Sequence, residues 1–402
     1  MVLVEEAEKI IQSQIKNFGT EKIQFESALG RVLAENLKAD RDLPPYDRVT
    51  VDGIAISYEA FKKGIRSFHI KAIQAAGDIP IDISAENECI EIMTGAALPE
   101  TTDTIIRYED LNIQNGIATV IIESIKQSQC IHSKGKDKKQ NEIVATANQI
   151  ITPALISMSA SAGKTELLVK KLPRVIIISS GDELIDVHEE PLPYQIRRSN
   201  NYTIKAALRQ YTLHADMLHL PDDLEITKQQ IKICLQQYDV IILSGGISMG
   251  KLDFIPQALK ELSVENLFHK VRQRPGKPLW FGAHLNGVLV FAFPGNPVSA
   301  FMCLYRYFLP WLKSSLSLSF KRNLYAVLNE DFCFKIPLQY FLQVQLNMND
   351  KGQLLATPVE GNGSGDFANL LESDAFMELP LEQDNFTKGE VFKIWPFKEV
   401  LK

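Results

Sequence analysis

Apolar residues recur at Val4, Ala7, Ile11, Ile15 and Phe18, and this three-to-four spacing predicts an amphipathic helix over residues 2–18. Its stripe must be covered by a partner or by the rest of its own domain. Two prolines in Leu43-Pro44-Pro45-Tyr46 then exclude helix and favour extended chain. From Asp47 to Ile56 the pattern alternates into a strand, with Asp52-Gly53 expected as a turn or bulge. Residues 65–150 read as short β pieces, among them 89–93, 104–108 and 118–122, with Gln114-Asn115-Gly116 as a hairpin signal.

Near residue 172 the pattern changes. Pro173 precedes a strand at 175–178, and a helix at 200–211, a short apolar segment at Met217-Leu218 and a helix at 225–237 follow. A continuous apolar run over 240–243 reads as a buried strand, and Ile255, Ala258, Leu259 and Leu262 as a helix. Leu279-Trp280-Phe281, a strand at 288–293 and a helix at 298–312 complete the region. The alternation predicts a doubly wound α/β domain with a largely parallel sheet and helices on both faces. From about residue 321 short alternating segments return and predict a small β domain.

The chain has 402 residues, long enough for roughly three or four domains. Hydrophobic residues make up 45% and charged ones 23%, which places it with globular proteins rather than disordered ones. A net charge of −6 argues against a general nucleic-acid binder and gives no reason to expect a membrane surface. No apolar run approaches the ~20 residues of a spanning helix, and the N-terminus does not read as a signal peptide. Five scattered cysteines without CxxC spacing read as reduced thiols, so cytoplasm is the expected location.

Candidate chemistry gathers at strand ends. The central strand runs into Ser244-Gly245-Gly246-Ile247-Ser248-Met249-Gly250, a loop with no bulky side chain over its amides, and Asp253 opens the next helix. Two further strands end in Ser180-Gly181-Asp182-Glu183 and in Pro294-Gly295-Asn296-Pro297, where Pro297 reads as a first-turn proline. In a doubly wound sheet such loops share one edge, where anionic ligands bind. Glu183 and Asp253 would suit a hard divalent ion such as Mg2+ held largely by water; equally, Asp182 and Asp253 could be helix caps. The stretch His269–Pro278 carries Lys270, Arg272, Arg274 and Lys277. A basic edge strand would account for Lys270 and Arg272, whereas Lys277 on a stiff Gly-Lys-Pro turn suits an oxyanion. The basic run over 133–139 reads as a solvated loop. There is no HExxH, Walker or GxGxxG motif, so zinc catalysis, hydride transfer and ATP-driven chemistry are not indicated.

In joint order and spacing these residues resemble the molybdopterin molybdenumtransferases and the E domain of gephyrin. The segments that carry the resemblance include Leu43-Pro44-Pro45-Tyr46-Asp47, Val51-Asp52-Gly53, Met93-Thr94-Gly95-Ala96 and Gly135-Lys136-Asp137. Ser180–Leu184, Ser199-Asn200, Leu220–Asp223, the Ser244–Gly250 loop with Asp253, Pro275–Pro278, Pro294–Ser299 and Gly361–Gly365 continue it nearly end to end. The resemblance implies a homodimer of four-domain subunits. It divides the chain into an N-terminal and linker region over 1–172, with 46–145 inserted as a β-rich domain, a molybdopterin-binding α/β domain over 173–320, and a C-terminal β-barrel over 321–402. The implied reaction joins molybdate to adenylylated molybdopterin with Mg2+ and releases AMP, the last step of molybdenum-cofactor synthesis, with possible transient contact with the adenylylating enzyme.

By the same resemblance Asp253, Glu183 and Lys277 are the catalytic residues, with Asp253 and Glu183 at the metal. Asp222, Ser244, Gly245, Gly246, Ser248, Lys270, Arg274, Pro294 and Pro297 would contact substrate, and Asp52, Thr94 and Asp137 would reach the cleft from the other subunit. The sequence departs from the family pattern at Val51, Lys136, Asn141, Arg198 and Arg274. A non-catalytic scaffold like the gephyrin E domain and a pterin- or nucleotide-binding homologue are the alternatives; retention of Asp253, Glu183 and Lys277 favours the enzyme.

Overall fold

The computed structural model describes residues 1–247, 254–318, 323–361, 363 and 365–398. Its organising layer is a six-stranded sheet in the order Ala215–Leu220, Val175–Ser180, Val240–Ser244, Leu289–Phe293, Trp280–His284, Val264–His269. The first four strands are parallel and the last two antiparallel. Because side chains alternate, Ile177, Ile242 and Phe291 enter one core, while Ile178, Ile241 and Val290 enter a second core on the opposite face. The helices Leu224–Gln237 and Ile255–Glu261 cover the second face, and Ser199–Arg209 and Pro297–Cys303 the first. Double coverage is why these strands are apolar runs rather than alternating ones. The Met217-Leu218 segment proves to be an edge strand, Ala215–Leu220.

Two helices depart from their sequence pattern. The first spans Val4–Gln12 only; its cap Ser13 and the next turn bond back to Lys9 and Ile11, and Gly19 reverses the chain at φ 87°. Phe18 therefore packs edge-on against Trp311 from outside the helix, at 6.3 Å between ring centroids, and Ile15 stays exposed. The buried stripe Val4, Ala7 and Ile11 lies in the core of the α/β domain. The expected 298–312 helix is instead Pro297–Cys303, a π turn over Leu304–Phe308, and Leu309–Ser315. Pro310 has no N–H for the carbonyl of Arg306, so the regular ladder cannot continue there.

Before residue 172 the chain is discontinuous. Thr20–Gln24 pairs with Glu166–Lys170, and Leu37–Lys38 with Ile143–Ala145. Between these lies a second six-stranded sheet, ordered Thr104–Arg107, Gly53–Ile56, Glu88–Ile92, Ser67–Gln74, Ile117–Val120, Leu111–Gln114. The Asn115-Gly116 hairpin forms as expected, with both residues at positive φ. Asp52 lies in a bend, as the turn alternative expected, and Gly53 opens the next strand without a bulge; an added Cβ there would lie 1.9 Å from the Ile106 carbonyl oxygen. After residue 322, five strands close a barrel: Gln339–Met348, Leu354–Pro358, Leu324–Leu328, Val391–Pro396, Ala375–Leu379 and back to the first. Among the described residues no helix is long and apolar enough to cross a membrane.

One buried cation joins three parts of the molecule. Arg306, on the π turn and 2% exposed, lies 2.7 Å from Glu8 of the N-terminal helix and 3.3 Å from Glu378 of the barrel. Nη2 also donates to Glu378 Oε1 at 3.5 Å, while Nε makes the ion pair without a hydrogen bond. Trp395 stacks on the guanidinium at 4.3 Å and donates to Glu378 at 2.6 Å; Gln339 donates to the same carboxylate at 2.6 Å. Removing one member of such a cluster leaves the other charge buried. Arg306→Met should therefore lower stability by about 3–5 kcal/mol, and Arg306→Met combined with Glu378→Met should recover much of the loss. Urea unfolding of the single and double variants checks this, and equal losses in both would remove the ion pair as the cause.

Candidate functional site

The strands Val175–Ser180, Val240–Ser244 and Leu289–Phe293 end on one edge, at the point where strand order reverses. Their loops enclose a cavity of about 490 Å³, lined by Ser180, Gly181, Ser244, Gly245, Gly246 and Gly295 among others. The glycines are required by the backbone. Gly245 and Gly246 sit at φ 93° and 65°, and an added Cβ on Gly246 would lie 2.6 Å from Ile255 Cδ1. The Asn200 side chain ties the edge together, donating to Ser244 Oγ at 2.9 Å and to the Gly295 carbonyl at 2.8 Å. Pro297 occupies the first turn of its helix, with Asn296 in the capping position, and Pro294 and Pro297 both line the cavity.

Glu183 and Asp222 line the same cavity. Asp182 caps no helix, since Leu184–Ile185 is a short strand. Its carboxylate instead accepts from the Asp222 amide at 3.2 Å, while the Asp222 carboxylate accepts from the Asp182 amide and from Ser180 Oγ, both at 3.4 Å. Asp253 and Ser248 lie outside the described residues. Among the described residues no group of three or more His, Cys, Asp or Glu is placed to hold a metal ion. Two carboxylate-bearing residues on one cavity wall nevertheless fit Mg2+, which takes one or two protein carboxylates and keeps several waters.

A second cavity of about 460 Å³ adjoins the first and shares Pro278, Pro294 and Asn296 with it. Arg274 and Lys277 supply its charge, and Leu338, Tyr340, Phe341 and Val359 of the barrel side supply an apolar wall. Within the basic stretch only Gln273–Arg274 is a strand, a two-residue edge strand of the barrel sheet, and Lys270 and Arg272 lie outside it. Gln273–Arg274 pairs in parallel with the barrel strand Gln339–Met348, and Val264–His269 forms the sheet edge. Gln273, fully buried, accepts from Tyr307 and donates to the Gly276 carbonyl at 3.0 Å, which fixes the turn. Arg274 and Lys277 are exposed at its surface and carry no side-chain partner among the described residues. Lys270 lines neither cavity; its backbone bonds Leu279 and Val2.

Asp52, Thr94 and Asp137 belong to the N-terminal half, and neither cavity is lined by a described residue before Ser179. Thr94 donates to Asp52 Oδ1 from its amide at 2.6 Å and from its hydroxyl at 2.7 Å, and these two bonds hold the carboxyl below the usual carboxylate range. Asp137, in the exposed basic loop, is held by His132 at 2.9 Å. The other imidazole nitrogen faces the Arg48 guanidinium at 3.2 Å. A guanidinium can only donate, so Nδ1 accepts and Nε2–H donates to Asp137.

Sequence reasoning missed Arg198, Tyr340 and Gln343 as lining residues, and singled out Asn296 only as part of its strand-end loop. The barrel residues carry no local signal, because a distant strand brings them to the site. Asn200 stood within the quoted Ser199-Asn200 pair, a polar start to a helix, which was its only trace.

Three family models match this chain: the MoeA N-terminal region (domain I and II) over residues 2–163, the probable molybdopterin binding domain over 176–314, and the MoeA C-terminal region (domain IV) over 325–397. A molybdopterin molybdenumtransferase of Synechocystis is 36% identical over 98% of this chain and 100% of its own length. One from Staphylococcus epidermidis is 28% identical over 98% and 95%. The crystal structure of a molybdopterin biosynthesis MoeA protein from Pyrococcus horikoshii superposes with a TM-score of 0.84 at 27% identity, covering 99% of this chain and 100% of that one. With its discontinuous N-terminal domains, its strand-end cavities and its closed barrel, this chain belongs to the molybdopterin molybdenumtransferase (MoeA) family.

Proposed function

We propose that this protein inserts molybdenum from molybdate into adenylylated molybdopterin and releases AMP, the last step of molybdenum-cofactor synthesis. The observation that carries the reading is the pair of adjoining cavities at the switch point of the sheet. One is walled by Gly and Ser loops and suits nucleotide phosphates; the other is apolar with two exposed cations and suits the pterin and an oxyanion. Ser244, Gly245 and Gly246 face the phosphates, with Pro294 and Pro297 shaping the turn beside them; Ser248 is assigned to substrate by the family resemblance alone. Lys277 and Arg274 hold molybdate or phosphate oxygens, whereas Lys270, which lines neither cavity, is assigned to substrate by the family resemblance alone.

Glu183 and Asp222, with Asp253, would hold Mg2+, which supplies charge neutralisation at the phosphates. Of these, Glu183 and Asp253 orient the water that attacks phosphorus. The protein works as a cytoplasmic homodimer in this reading, and Asp52, Thr94 and Asp137 complete the cleft of the partner subunit.

Lys277→Ala should weaken molybdate binding about tenfold or more while leaving stability nearly unchanged, since an exposed cation contributes little to folding. Calorimetric titration with molybdate measures this, and an unchanged affinity would take Lys277 out of the site.

Thr94→Val removes one of the two donors that favour ionised Asp52, so the pKa of Asp52 should rise toward the ordinary value. The carboxylate is then lost at a higher pH than in the parent protein. Carbon-detected NMR titration of Asp52 reads the shift, and a fall or no change would contradict it.

If each cleft joins two subunits, Asp52→Ala and Glu183→Ala homodimers are both inactive, but a mixed dimer retains one intact cleft. Random pairing should then restore about a quarter of parental AMP release. A mixture shown to contain heterodimers, yet still inactive, would place the whole site within one subunit.

A further inference from the structure

The excursion over residues 182–198 leaves the sheet edge and returns as Leu184–Ile185 paired with Ile196–Arg197. It ends in two adjacent arginines with different tasks. Arg197 is exposed and spends its donors on the Glu189 carbonyl, at 3.2 and 3.0 Å, within the excursion itself. Arg198 turns the other way. Its side chain is 18% exposed and lines the strand-end cavity, at the foot of the helix Ser199–Arg209.

One end of the Arg198 guanidinium is anchored and the other is available. Nη2 pairs with Asp186, whose carboxylate also accepts from Tyr202 at 2.8 Å and from the Val187 amide at 2.6 Å. Asp186 is thereby fixed by three donors, and it holds the planar fork in place. Nε is buried and has no acceptor among the described residues. Nη1, by contrast, makes no hydrogen bond among the described residues and is not buried, so it is the donor that a ligand in the cavity lined by Arg198 can meet. The cation is also felt at His219, behind the lining residue Ser179. Burial first, and the Arg198 charge second, push the His219 imidazole to a low pKa, and His219 sits 3.1 Å from Ser179 Oγ at the end of the neighbouring strand.

We propose that Arg198 is a further substrate-binding residue, whose guanidinium, held by Asp186, takes a phosphoryl oxygen of the nucleotide in the strand-end cavity. This rests on the reading of that cavity as the nucleotide site. A planar fork at a phosphate gives direction as well as charge, which an ammonium does not. Asp186 acts only through Arg198 and is a positioning residue.

The test is calorimetric titration of the full chain with AMP, in buffer with chelator so that no divalent ion substitutes for the arginine, and separately with molybdate. Arg198→Ala should bind AMP about 10- to 100-fold more weakly, the loss expected for a charge-assisted hydrogen bond, and should bind molybdate as before. Arg198→Lys, which keeps the charge near Asp186 but loses the fork, should fall between the two, and provides the answer if the alanine variant does not fold. Asp186→Asn should weaken AMP binding by less than Arg198→Ala. AMP affinity within about twofold of the parent in both Arg198 variants would overturn the proposal. So would a loss confined to molybdate. Both of those outcomes leave the nucleotide cavity standing, whereas a parent protein that binds no AMP overturns the reading of the cavity and the proposal with it.

Discussion

The arrangement of the cavities depends on Arg306 staying charged and enclosed. It sits on a π turn forced by Pro310, and it reaches the N-terminal helix through Glu8 and the barrel through Glu378. Burying a guanidinium is tolerable only with several partners around it, and Trp395 and Gln339 complete the shell on the barrel side. The adjacent residue, Tyr307, extends the same network to Gln273 and so to the turn that carries Arg274 and Lys277. The position of the barrel against the sheet and the position of the exposed cations Arg274 and Lys277 are thus set by two neighbouring residues on one turn. Electrostatics here fixes geometry more than it adds stability.

The second constraint is the sheet itself. Three parallel strands buried on both faces leave their carboxyl ends as a place where backbone amides can face a ligand without a side chain in the way. Glycines at positive φ keep that edge open, and Asn200 clamps two of its loops to the next helix. The acids stand on the same edge but are restrained by each other's amides, as Asp182 and Asp222 are. A polar floor held this firmly needs little rearrangement when charge arrives.

Legibility in the sequence followed locality. Strands such as Val240–Ser244 and the hairpin at Asn115-Gly116 were readable because a short run or a dipeptide contains the whole signal. The N-terminal helix was drawn too long because Ile15 and Phe18 keep the helical period after the backbone has left it, and only Trp311, far along the chain, explains Phe18. The Gly and Ser loops of the site were visible as composition. Tyr340, Gln343 and the inward turn of Arg198 were not, since each reaches a cavity through strand pairings that no local pattern encodes. The N-terminal acids remain apart from both cavities within one chain, and the resemblance, not the residue pattern, gave them a place.

The wall between the two cavities is short and stiff, made of Pro278, Pro294 and Asn296. A molecule with a nucleotide at one end and a pterin at the other can straddle it, and each half then raises the effective concentration of its companion in the neighbouring chamber. Cutting the link between the halves ends that avidity at once. On the proposed function, two weakly held fragments would then replace one tightly held ligand, so the chemical step would itself favour departure, without an opening motion of the fold.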